Sequence, residues 1–87
     1  MARLLLALRY LGTRYHGWQV QPNAPTIQET VQDAVESVTG VRSGVTGCSR
    51  TDAGVHAEMY CCAFDTESRL RGREMAKALN ARLPRDI

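Results

Sequence analysis

The chain has 87 residues, of which 44% are apolar, and a formal net charge of +2 at pH 7. That length allows one small domain, at the size where burial only just outweighs conformational entropy. The composition excludes a membrane-spanning helix, because no run approaches the roughly 20 apolar residues that cross a bilayer, and the small charge excludes the strong basic bias of a stand-alone nucleic-acid binder.

In chain order, Arg3–Leu11 reads as a strand. Its run Leu4-Leu5-Leu6-Ala7-Leu8 is too short for the core of a signal peptide and has arginine at both ends, so a buried strand is expected. Gly12–Pro25 holds two glycines, two prolines and an exposed-looking Tyr15-His16-Gly17-Trp18, and reads as a long loop. Long loops in small domains are usually functional or disordered, and a tryptophan beside a tyrosine argues for packing over a cleft. Thr26-Ile27-Gln28-Glu29 is a capping box. The apolar stripe Ile27, Val31, Ala34, Val35 and Val38 then predicts a helix ending near Gly40.

Gly44–Ser49 is read as a second strand and Glu58–Thr66 as a third. Leu70–Leu83, with Met75, Leu79 and Leu83 four residues apart, is a second helix stopped by Pro84. The order is βαββα. It predicts an α+β fold, a ferredoxin-like unit lacking its final strand, with an antiparallel sheet and two helices on one face. An open sheet edge pairs readily with another chain, and the sheet face left uncovered should be apolar, so self-association through the open edge is expected.

Cys48 and the adjacent Cys61 and Cys62 form neither an even disulfide set nor a Cys-x-x-Cys pair. Reduced, mostly buried thiols and a cytoplasmic location are expected. Cys48, His16 and His56 fall short of the ligand set that zinc requires, so no metal site is expected. Ten of the eleven basic residues are arginine, the exception being Lys77. Arginine's planar fork binds phosphate bidentately and stacks on bases, which suits RNA better than the net charge implies. For Arg69, Arg71 and Arg73 on a helix flank, a solvated surface is an equal reading.

Between the second and third strands lies Cys48-Ser49-Arg50-Thr51-Asp52-Ala53-Gly54-Val55-His56-Ala57. A carboxylate two residues from a guanidinium, where a strand gives way to a loop, is a layout for a positioned acid, base or nucleophile. The same residues also read as an ordinary turn, since Asp bonds its own backbone and Gly accepts positive φ. Thr51 and Gly54 shape that loop in either case, and His56 is read as stabilising it. On the preceding long loop, Arg14 is the expected phosphate contact.

The run Arg-Thr-Asp-Ala-Gly-Val-His-Ala closely resembles the signature of the TruA family of tRNA pseudouridine synthases. Tyr10-Leu11-Gly12-Thr13-Arg14-Tyr15-His16-Gly17-Trp18-Gln19-Val20-Gln21-Pro22 resembles that family's N-terminal block, and Thr26–Glu29 and Leu79–Ile87 extend the likeness. Ser49 departs from the glycine common in relatives, a change between two small residues.

The resemblance implies isomerisation of uridine to pseudouridine in the anticodon stem-loop of tRNA, with neither cofactor nor metal. It assigns Asp52 as the catalytic carboxylate and Arg50 as the side chain that fills the space left by the flipped base. It also implies homodimers of the full-length enzyme. It covers only the N-terminal part of the family, so residues 1–87 are expected to be a single catalytic-motif domain of a truncated synthase, inactive alone. The alternatives are a non-catalytic RNA-binding module of the same plan, disfavoured by only five aromatics, and a small domain that dimerises through its sheet edge.

Overall fold

The computed structural model describes residues 2–47, 57–70 and 72–87. Their order is β1 (Ala2–Tyr10), a short 3-10 turn (Gly12–Arg14), α1 (Ile27–Thr39), β2 (Thr46–Gly47), β3 (Ala57–Thr66) and α2 (Gly72–Asn80). The sheet order is β1-β3-β2, with β3 antiparallel to both neighbours. β1 and β2 are therefore parallel to each other and α1 is the crossover between them, the split βαβ of a ferredoxin-like unit. The expected α+β class and antiparallel sheet are what the chain forms.

One face of the sheet carries the core. Tyr60, Cys62 and Phe64 of β3 are buried with Ile27, Val31, Ala34 and Val35 of α1 and Met75 and Leu79 of α2, and Leu4, Leu6 and Leu8 of β1 pack against them. Both helices thus lie on that face. The leucine run of β1 is not buried throughout. Alternation sends Leu5 to the opposite face at 81% exposure, with Ala7 beside it. Register sets Leu5 against Ala63 and Ala7 against Cys61, so an apolar strip including Met59 lies on the helix-free face. The expectation of an uncovered apolar face holds, while that of a wholly buried strand does not.

Several boundaries also differ. α2 spans Gly72–Asn80 rather than Leu70–Leu83. The amides of Arg82 and Leu83 both donate to Leu79 O, a tightened terminal turn that ends the helix before Pro84. β2 is described only over Thr46–Gly47, because Gly44 and Val45 are outside its ladder and positions 48 and 49 lie outside the described residues. The α1 prediction holds closely: Thr26 Oγ1 accepts from the Glu29 amide at 3.4 Å, and Gly40 closes the helix in the left-handed conformation with φ of 80°. Cys62 is buried as expected, but Cys61 is exposed, because adjacent strand residues face opposite ways.

Candidate functional site

β1 ends at Tyr10, opposite the start of β3 at Ala57, and β2 runs antiparallel to β3. The loop after β1, the end of β2 at Gly47 and the start of β3 consequently converge on one end of the sheet. At that end the ladder slips, since two steps along β1 from Leu8 to Tyr10 match three along β3 from Tyr60 to Ala57. An extra residue there bends β3 at its start. The predicted site residues Arg50, Thr51, Asp52, Gly54 and His56 lie outside the described residues, as do Cys48 and Ser49.

At that end of the sheet the described residues pack around an aromatic group. Trp18 and Tyr60 are each 3% exposed, with ring centroids 4.4 Å apart, and Tyr10 lies 6.0 Å from Tyr60. Gly47, the last described residue before the motif, sits directly against this aromatic group. A Cβ at position 47 would meet the Tyr60 hydroxyl and come within 2.7 Å of Trp18 Nε1. Tyr15 and Trp18 are buried anchors, as the packing expected of a tryptophan beside a tyrosine requires, although the stretch looks exposed in sequence; His16 is exposed.

The long loop is held by the helix it precedes. The amides of Ile27 and Gln28, unpaired inside α1, donate to the carbonyls of Gly17 and Trp18 at 3.1 and 2.9 Å. His16 N donates to Pro25 O, and Gln21 Nε2 donates to His16 O at 2.8 Å, which gives Gln21 a loop-fixing role. Gln19 is exposed.

The C-terminal segment docks on the same end. Leu11 N donates to Asp86 O at 2.8 Å, and the Tyr15 hydroxyl donates to Asp86 Oδ1 at 2.7 Å. Burial, then the hydrogen bond and charge of Asp86, push the Tyr15 phenol up to about 12. A cleft of about 400 Å³ opens between Leu11, Thr13, Arg14, Pro84, Arg85 and Asp86. Arg14, predicted as a phosphate contact, is exposed on its wall and is joined there by Arg85. Sequence reasoning missed Arg85. Its signal was the closing Leu79–Ile87 block, but separation along the chain hid the pairing. Among the described residues no group of histidines, cysteines and carboxylates could hold a metal ion, and no helix is long and apolar enough to cross a membrane.

Comparison with known proteins covers the whole chain. The family model described as tRNA pseudouridine synthase matches residues 6–87. The chain is 48% identical over 87 residues to tRNA pseudouridine synthase A of Ruminiclostridium cellulolyticum, covering 100% of this chain and 36% of that protein. It is 45% identical over 89 residues to the Porphyromonas gingivalis protein of the same name, covering 100% and 35%, and 46% identical over 87 residues to that of Myxococcus xanthus, covering 100% and 33%. The chain thus spans about a third of the length of these curated relatives. By the reach of the family match and the level of identity, this chain belongs to the tRNA pseudouridine synthase family.

Proposed function

We propose that the chain supplies the N-terminal catalytic-motif domain of an isomerase that converts uridine to pseudouridine in the anticodon stem-loop of tRNA. The observation that carries this reading is identity of 44–48% to synthases across all 87 residues of the chain, which itself contains the run Arg50-Thr51-Asp52. In the reaction the bond from C1′ to N1 of uracil breaks, the base turns, and C5 bonds to C1′. C5 gives up its proton and N1 gains one, so there is no net redox change or hydrolysis. No cofactor or metal is needed for that balance.

Asp52 acts in its ionised form, either attacking C1′ or removing a proton from the sugar. The Arg50 guanidinium favours that form by opposite charge and hydrogen bonding. Arg50 also fills the space left when the uridine is extruded, offsetting an unstacking cost of a few kcal/mol. Thr51, Gly54 and His56 shape the loop that presents Asp52. Arg14 and Arg85, on one cleft at the converging end, contact the RNA backbone.

The activity belongs to a full-length protein of the relatives' size, which acts as a cytoplasmic homodimer; residues 1–87 alone are inactive. As an isolated domain they self-associate through the unpaired side of β1. The test is incubation of the full-length protein with unmodified tRNA and mapping of pseudouridine. Product that disappears in Asp52→Asn supports the enzyme, whereas tRNA binding without product supports a non-catalytic module. Arg50→Ala should weaken turnover and productive RNA binding together, and Asp52→Asn turnover alone. Equal loss of RNA affinity in both would contradict this division.

A further inference from the structure

Gln28 lies on the first turn of α1, and its backbone N–H and both ends of its side-chain amide are all bonded. Its backbone amide donates to Trp18 O at 2.9 Å, its Oε1 accepts from Val20 N at 2.9 Å, and its Nε2 donates to Val45 O at 2.7 Å. One turn on, Gln32 Oε1 accepts from Val45 N at 3.0 Å. The peptide groups of Val45 are thus gripped on both sides by two side chains of one helix. Val45 itself is 1% exposed and lies immediately before β2, whose end feeds the motif. A free primary amide is required at position 28, because one end must accept from an N–H and the other must donate to a C=O.

The geometry points to Gln28 as a positioning residue for the reaction proposed above. It fixes the entry of β2, and through it the placement of the motif residues, relative to the loop that carries Tyr15 and Trp18. This role rests on the pseudouridine synthase reading. Helix packing alone does not need it: the stripe Ile27, Val31, Ala34 and Val35 already seats α1 on the sheet. Among the described residues β2 pairs with β3 over Thr46 and Gly47, and what the stripe does not fix is the approach of the chain to that pairing, which the two glutamines hold at Val45. Errors in placement of about 1 Å are enough to cost on the order of 100-fold in rate.

Two variants separate the two arms of the clasp. Gln28→Met loses both side-chain bonds. Gln28→Glu keeps the acceptor for Val20 but sets a carboxylate against the Val45 carbonyl. In the full-length protein, kcat on unmodified tRNA should fall at least about tenfold in both variants, with KM within about threefold. Amide exchange should quicken at Val20 in Gln28→Met and stay protected in Gln28→Glu, while the β1–β3 ladder amides remain protected in both.

Wild-type kcat in Gln28→Glu would overturn the strand-positioning role, as would equal changes in kcat and KM. Unchanged Val20 exchange in Gln28→Met would overturn the clasp itself, whatever the activity. If Gln28→Met unfolds, shown by loss of ladder protection, Gln32→Met, which frees only Val45 N, must reproduce the kcat loss or the role is refuted. Absence of pseudouridine from the unsubstituted protein would overturn the catalytic reading and the positioning role with it, while the exchange result would still report the clasp.

Discussion

Gly47→Ala should destabilise this domain far more than its size implies. A Cβ at position 47 lies 2.7 Å from Trp18 Nε1 and 2.8 Å from Trp18 Cε2, and closer still to the Tyr60 hydroxyl. Ordinary carbon contacts need about 3.5–4.0 Å, so both rings must retreat by about 1 Å. Neither can move cheaply, since each is 3% exposed and their centroids are 4.4 Å apart within the core. Overpacking of that kind costs about 1–3 kcal/mol. For a domain of this length, a cost of about 2 kcal/mol lowers Tm by roughly 8–16 °C. The control is Gly44→Ala, where nothing lies within 4 Å of the new Cβ. There the stiffer unfolded chain should raise stability by about 0.5 kcal/mol. Thermal and urea melts followed by fluorescence of the single tryptophan measure both variants. Equal effects at the two glycines would refute the claim that Trp18 and Tyr60 are packed hard against the end of β2.

Thr26→Ala should cost about 1 kcal/mol by removing the α1 cap, with most of the loss restored in Thr26→Ser; urea midpoints test this. The raised Tyr15 phenol fixes a sign: the folded state holds that proton more tightly, so its stabilisation is complete below pH 10 and is lost as pH rises toward about 12. Tyr15→Phe should flatten the stability profile across that alkaline window. Leu5→Glu with Met59→Glu places charge on the exposed apolar strip, at positions 81% and 76% exposed. Sedimentation should show self-association unchanged if it runs through the β1 edge and abolished if it runs through the face.

Legibility in the sequence followed the range of the interactions. The α1 boundaries were readable because Thr26 and Gly40 act within a turn of their own positions. The face of β1 was not: five apolar residues in a row hide the alternation, and only pairing with β3 shows that Leu5 and Ala7 point outward. The second helix was overextended because Leu83 keeps the apolar spacing while its amide turns back to Leu79. At the end of the sheet where β2 stops, the contacts are long-range. Asp86 reaches Tyr15 across 71 positions, and Gln28 reaches Val45 across 17. Gln28 looked like one letter of a capping box; its partners are unrelated to that local pattern.

The most direct measurement is pseudouridine mapping on unmodified tRNA treated with the full-length protein and with its Asp52→Asn variant. New pseudouridine is expected in the anticodon stem-loop with the unsubstituted protein, none with the variant, and retained tRNA binding by both. Pseudouridine formed equally well without the Asp52 carboxylate would contradict it.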